Sequence, residues 1–221
     1  MMIAIYFLYI TPIIYNVNIK RIHGVTEMKV SKAEAAQTKE RITEVASRLF
    51  REFGLEGIGV AELMKAAGLT HGGFYRHFAS KEELMASACA RGLEGSLNAA
   101  HRVVEHHPKQ ALSAMASAYL SAAHRDAPGE GCVLAALGAE AAHHGALVRT
   151  AITEGVRPMI TLLMQLLPSD MSEDTKRQRA ITIYSSMIGA LVLARAVDDV
   201  ALSDMVLTSV LASISHADLY S

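Results

Sequence analysis

The stretch Val60–Phe78, VAELMKAAGLTHGGFYRHF, constrains the fold more than any other part of the chain. Val60, Leu63, Met64 and Ala67 fall at i, i+3, i+4 and i+7, one apolar face of a short helix. Gly68 stands where a left-handed residue closes such a helix. Thr70 is placed to cap a second short helix. That helix carries His71, Arg76 and His77 as polar groups, and Phe74, Tyr75 and Phe78 as aromatic ones. Two short helices joined by a tight turn make a helix-turn-helix, a unit whose second helix enters the major groove of DNA.

The surrounding sequence suits such a unit. The chain has 221 residues, enough to bury a real core, and about half are hydrophobic, which excludes a disordered polymer. Long segments rich in Ala, Leu, Met and Glu favour helix, and no β run or Asn-Gly hairpin signal appears. Cys89 and Cys132 form no CxxC pair and suit a reducing cytoplasm. The net charge of −1 conceals an asymmetry: Lys29–Lys81 carries nine Lys/Arg against six Glu, whereas Glu82–Ser221 carries ten against fifteen Asp/Glu. A basic N-terminal module on an acidic body fits nucleic-acid contact at one end.

Residues 1–28 read as an extension. Met1–Ile19 is uncharged and mostly apolar, with Lys20 and Arg21 after it rather than before it, the reverse of a signal peptide. Pro12, Asn16 and Asn18 weaken a spanning helix of nineteen residues. The expectation is a translation start at Met28 and no membrane association; a membrane-anchored regulator is the rival reading of this segment.

From Ser31 the pattern is helix after helix. Ile42, Val45, Ala46, Leu49, Phe50 and Phe53 predict a first helix ending at Gly54. Ser80-Lys-Glu-Glu83 is a capping box that opens a fourth helix, to about Val104. Pro108 suits the first turn of a fifth, to about His124. Cys132–His144 and Ala146–Leu167 predict a sixth and a seventh, with Pro158 expected to kink or break the latter. Glu173–Asp198 and Leu202–His216 predict the last two. The fold class is therefore all-α. Residues 31–85 are expected to form an N-terminal three-helix DNA-binding domain, and 86–221 a C-terminal helical domain, for which the family resemblance given below implies ligand binding and dimerisation.

Ile181–Val197 is apolar or small nearly all round, so more than one side of that helix needs a cover. Ser185, Ser186, Gly189, Ala190 and Ala194 allow close approach, and the last helix offers Leu202, Met205, Val206, Val210, Leu211 and Ile214. Pairing of these two helices with a second copy about a two-fold axis satisfies both, and matches a palindromic DNA site. Burial within one chain is the alternative.

Thr38–Leu84 resembles the DNA-binding domain of the TetR family of bacterial transcriptional regulators. The resemblance rests on Ile42, Ala46, Leu49, Phe50, Gly54, Val60, Ala67-Gly68, Thr70, Gly72, Phe74-Tyr75, His77-Phe78 and Ser80–Leu84. Gly131–Leu137 and Gly189–Asp199 resemble one branch of the family's variable C-terminal domains. One departure stands out: the residue before Val60, often Ser or Thr in the family, is Gly59 here.

The resemblance implies a cytoplasmic homodimer that binds a palindromic operator, acts as a repressor, and is released by a small-molecule effector of unknown identity. Thr70, His71, Gly72, Gly73, Tyr75, Arg76, His77 and Lys81 are the candidate DNA contacts. Phe78 reads as core, and Arg48 and Arg51 as ordinary solvated charges. Met115, Tyr119, Cys132, Leu134, Leu137, Met159, Leu163 and Met187 are candidates for the effector cavity, although core packing is the commoner role of such residues. Cys132 is either a reactive thiolate near a helix start or an inert buried thiol.

A helical metal-dependent enzyme is the rival from another class. His101, His124 and the pairs His106-His107 and His143-His144 suggest it, but adjacent histidines diverge on a helix and no HExxH, phosphate loop or GxSxG elbow is present. No catalytic residue, metal or cofactor is expected.

Overall fold

A computed structural model of the chain describes residues 32–217, and the extension expected over 1–28 lies outside the described residues. Helix α1 spans Lys32–Phe53. Ile42, Ala46, Leu49 and Phe50 form its buried stripe, while Glu34 in the first turn and Arg51 in the last complement the helix dipole. Phe53, expected on the same stripe, is 58% exposed, and Gly54 beyond it takes φ +84° and ends the helix.

Helix α2 spans Val60–Ala66 and buries Leu63 and Met64. Gly59 offers no side-chain cap; instead the Glu62 carboxylate reaches back and accepts the Gly59 N–H at 2.7 Å. At the other end Gly68 takes φ +71°. The Leu69 N–H donates to Met64 O at 2.8 Å and the Gly68 N–H to Lys65 O at 3.0 Å, a Schellman closure.

The second element of the motif, His71–Arg76, is a 3₁₀ helix rather than an α-helix. Two glycines make a poor α-helix, and 3₁₀ geometry suits so short a piece. Thr70 occupies the cap position but its hydroxyl makes no cap bond; its backbone carbonyl accepts the Gly73 N–H at 3.0 Å instead. Phe74 and Phe78 are both buried and stack with ring centroids 5.7 Å apart.

Helix α3, Lys81–His106, begins as its capping box predicts: Ser80 Oγ accepts the Glu83 N–H at 3.1 Å. The return bond from Glu83 goes to the Ala79 N–H at 2.7 Å, one residue earlier than the box requires. Lys39 on α1 ties this cap down, donating to Glu83 at 3.0 Å with its ammonium 4.7 Å from the Phe78 ring centre.

The predicted fifth helix is two. Helix α4 spans Ala111–Tyr119, with Pro108 outside it, and α5 spans Ala122–Asp126. Ser121 makes the break, accepting the His124 N–H at 3.2 Å as the cap of α5. A 3₁₀ turn at Pro128–Glu130 leads to α6, Val133–Ala141, with Cys132 at its N-cap.

Helix α7 spans Ala146–Gln165 and continues through Pro158 without the expected break. Pro158 and Glu154 are both exposed, so the carbonyl that loses its donor faces water. Helix α8 spans Glu173–Ala196 behind a Ser172 cap, and α9 spans Val200–Ala217, where Asp199 accepts the Ala201 and Leu202 N–H groups.

Buried side chains fall into two clusters. The first joins α1, α2, the 3₁₀ helix and the start of α3, and it also takes Val133, Leu137 and Ala141 from α6 and Val148 from α7. The second lies among α3, α4, α7, α8 and α9. Helix α3 runs through both and crosses α7 closely: a Cβ on Gly155 would lie 2.5 Å from Leu93 Cδ1. Among the described residues no helix is long and apolar enough to cross a membrane.

Candidate nucleic-acid interface and the cavity behind it

The turn at 70–77 alternates sharply between inside and outside. Phe74 is 1% exposed and Tyr75 is 71% exposed. The buried ring anchors the exposed one edge-on, with centroids 5.2 Å apart. Thr70, His71, Gly72 and Arg76 are exposed beside Tyr75, and Gly73 and His77 are half-buried.

The two glycines are not demanded by the fold. Neither has a positive φ. A Cβ on Gly72 would meet nothing within 4 Å, and one on Gly73 would make only ordinary contacts at 3.7 and 3.9 Å. Neither glycine is therefore required by packing; Gly72 is open on its outward side, while the Gly73 N–H is already donated to Thr70 O.

Lys81 differs from the other candidates. Its ammonium pairs with Glu56 at 2.8 Å, and this bond is the main reason the Glu56 carboxyl titrates below its usual range. Glu56 also lies 4.0 Å from His144, which follows α6. The adjoining Leu55 N–H donates to Glu140 of α6 at 2.7 Å. The loop after α1 is thus fastened to the body of the molecule.

Behind this face lies a cavity of about 370 Å³, within the range of small-molecule sites. Its apolar wall comes from the second cluster, through residues of α3, α4, α7 and α8, and Glu44, Ser47 and Arg51 of α1 and His124 of α5 close the rest. Of the eight residues expected to line it, Met115, Tyr119, Cys132, Met159 and Met187 do. Leu137 instead packs in the first cluster, Leu163 is fully buried in the second, and Leu134 bridges the two. Those leucines sit on helix faces turned toward neighbouring helices rather than toward the cavity.

The cavity's charged groups were not foreseen. Arg51, expected in solvent, is half-buried in the wall and donates Nε–H to Gly129 O at 2.7 Å. Burial pulls its pKa below the ordinary value, against the opposing pull of Glu130 and Glu44. Arg48 does stay at the surface, paired with Glu52 at 3.0 Å. Arg91 pairs with Glu44 at 2.7 Å and Glu40 at 3.1 Å. A hint existed in α1, where Ser47 and Arg51 lie four residues apart beside a buried stripe.

His124 braces the cavity's far side. One ring nitrogen lies 2.7 Å from Tyr119 O, and the other accepts the Cys132 N–H at 2.9 Å. That pair of bonds requires the neutral ring, and burial lowers its pKa accordingly. Tyr119 stacks edge-on against it, centroids 4.6 Å apart. The Tyr119 hydroxyl is buried beside the Cys132 sulfur, a weak partner, and forms no hydrogen bond of good geometry. Burial raises the pKa of Tyr119, of Tyr184 across the cavity, and of the Cys89 thiol, the last to about 11. Both cysteines are free and buried. Among the described residues no three His, Cys, Asp or Glu side chains are grouped to hold a metal ion.

Comparison with known proteins agrees with this architecture. Residues 42–88 match the family model for bacterial regulatory proteins of the tetR family. Residues 108–206 match the model for the C-terminal domain of LmrA/YxaF-like transcriptional regulators. The HTH-type transcriptional regulator AcrR of Shigella flexneri is 43% identical over 54 residues, covering 24% of this chain and 25% of that protein. The match thus spans about a quarter of that relative's length.

Among solved structures, a TetR-family regulator from Cytophaga hutchinsonii superposes with a TM-score of 0.70 at 23% identity, over 83% of this chain and 96% of the other. The reduced form of E. coli NemR superposes with a TM-score of 0.68 at 23% identity, over 81% and 97%. These structural likenesses establish the shared fold. With one match on the helix-turn-helix head and another on the helical body, the chain belongs to the TetR family of bacterial regulatory proteins.

Proposed function

We propose that the chain is a transcriptional repressor that binds a palindromic operator as a homodimer and leaves it when a small molecule enters the cavity. The observation that carries the reading is the turn at 70–77: an exposed Tyr75 held on a buried Phe74, just after two glycines the fold does not need. In this reading His71 contacts base edges, Thr70 and Tyr75 contact phosphates, and Arg76 and His77 follow along the groove. Lys81 reaches a phosphate only by exchanging Glu56 for it.

The dimer forms through α8 and α9. Ile181, Ser185, Gly189 and Val192 make an exposed stripe on α8, and Leu202, Met205 and Ser209 another on α9. Such a strip of apolar and small side chains fits a self-complementary helix interface. Release follows from the cavity's position, because its wall includes α1, the helix on which the head is built. A ligand that prefers a different setting of α1 shifts the population away from the DNA-binding state.

Gel shifts across a series of varied half-sites test the assignment. Tyr75→Ala should weaken binding about equally for all sequences, whereas His71→Ala should change the preference at particular base pairs. Unchanged binding in both variants contradicts it.

A further inference from the structure

The proposal that the cavity is an effector site leaves the ligand's chemistry open, and the lining narrows it. Three groups with donors to spare face the cavity. Arg51 spends its Nε–H on the Gly129 carbonyl and, among the described residues, forms no ion pair. Ser47 is 3% exposed, and its hydroxyl has no partner among the described residues. The buried Tyr119 hydroxyl is the third. All three can donate a hydrogen bond, and one carries a positive charge.

Glu130 and Glu44 act on that charge through space, but neither forms an ion pair with it among the described residues. Glu44 is held by Arg91 at 2.7 Å, and Glu130 stands exposed at the cavity's edge. The groups on α1 also converge. Arg51 Nη1 and Ser47 Oγ lie 2.5 and 2.9 Å from the point that a Cβ on Gly92 would occupy, so glycine there keeps both uncovered. The opposite wall is apolar and adaptable: Met115, Met159 and Met187, with the rings of Tyr119 and Tyr184.

Resting on the effector-site reading, we propose that this cavity takes a small organic anion with an aromatic body. Its acid group binds Arg51 and Ser47 on α1, and its ring lies among the methionines and tyrosines. A neutral ligand leaves the half-buried guanidinium without a direct ion partner, and a cation is repelled by it. An acid group is met by charge-assisted bonds. The same bond draws on the side chain that ties α1 to the 127–131 loop, so an anion acts on the head directly.

Calorimetric titration of the full chain with 2-naphthoate and with its neutral isostere 2-naphthamide tests the class. The acid should bind about tenfold or more tightly than the amide. Arg51→Met should erase that preference, and Arg51→Lys should keep most of it. Should Arg51→Met fail to fold, Ser47→Ala and Tyr119→Phe serve instead, each narrowing the preference about severalfold.

Equal binding of acid and amide, binding of neither, or a preference undiminished in the variants overturns the proposal. Gel shifts run in parallel separate it from the regulatory reading. A preferred acid that leaves DNA retention unchanged upholds the anion site and contradicts the release mechanism alone.

Discussion

The head and the body of this molecule are built to different standards. In the head two surface groups rest on buried rings, Tyr75 on Phe74 and Lys39 across Phe78, and Lys39 also holds the Glu83 cap. The body keeps a cavity, the unpartnered Tyr119 hydroxyl on its wall, and apolar stripes on α8 and α9 that no described residue covers. A reading surface has to be rigid before its target arrives. Under the proposed function, the body remains incomplete until a ligand and a second copy complete it.

The sharpest way to break this contrast is to cut neighbouring residues on either side of the head's surface. Phe74→Ala should cost about 3–5 kcal/mol of stability in chemical unfolding. Tyr75→Ala should stay within about 0.5 kcal/mol of the parent while losing DNA affinity. Similar losses of stability in the two variants would remove the distinction between core and reading surface.

Glycines extend the comparison to the body. Gly155→Ala forces a Cβ to within 2.5 Å of Leu93 and should cost about 1–3 kcal/mol. Gly72→Ala meets nothing within 4 Å, so its thermal transition should be no lower than the parent's, while DNA binding weakens. The exposed stripes predict assembly. Met205, 61% exposed, changed to Glu should convert dimers to single chains in sedimentation without loss of helical circular dichroism.

The smallest expected effect concerns pH. Burial lowers the His124 pKa below its ordinary 6.5, so the unfolded chain takes up a proton that the folded chain refuses. Stability should therefore fall as pH drops below about 6.5, and this slope should flatten in His124→Gln. An identical slope in both proteins would show that His124 is not a neutral brace.

The head was the more legible region because its signals are local. Gly68 in the left-handed region and Ser80 on the Glu83 amide follow from neighbours three or four residues away. Thr70 failed as a side-chain cap because the element after it is 3₁₀, where its carbonyl does the bonding.

The body resisted for reasons of distance along the chain. The break between α4 and α5 depends on Ser121, but it is held by the His124 bond to Cys132 and by Arg195 of α8, which donates to the His124 and Arg125 carbonyls. No periodicity in one helix carries that information. The cavity shows the same limit. Its methionines were named, but Leu134, Leu137 and Leu163 point into packed helix faces, and Arg51 and Ser47 enter only because α1 lies against α3 and the 127–131 loop.

The account's central claim is that the turn beginning at Thr70 is presented twice to one duplex. Selection of bound DNA from a random pool, followed by sedimentation of the chain on the selected duplex, tests it most directly. The predicted result is an inverted-repeat site occupied by paired chains, with protection of both half-sites lost together in Tyr75→Ala. Enrichment of no sequence, together with failure to retain any duplex at low ionic strength, would contradict it.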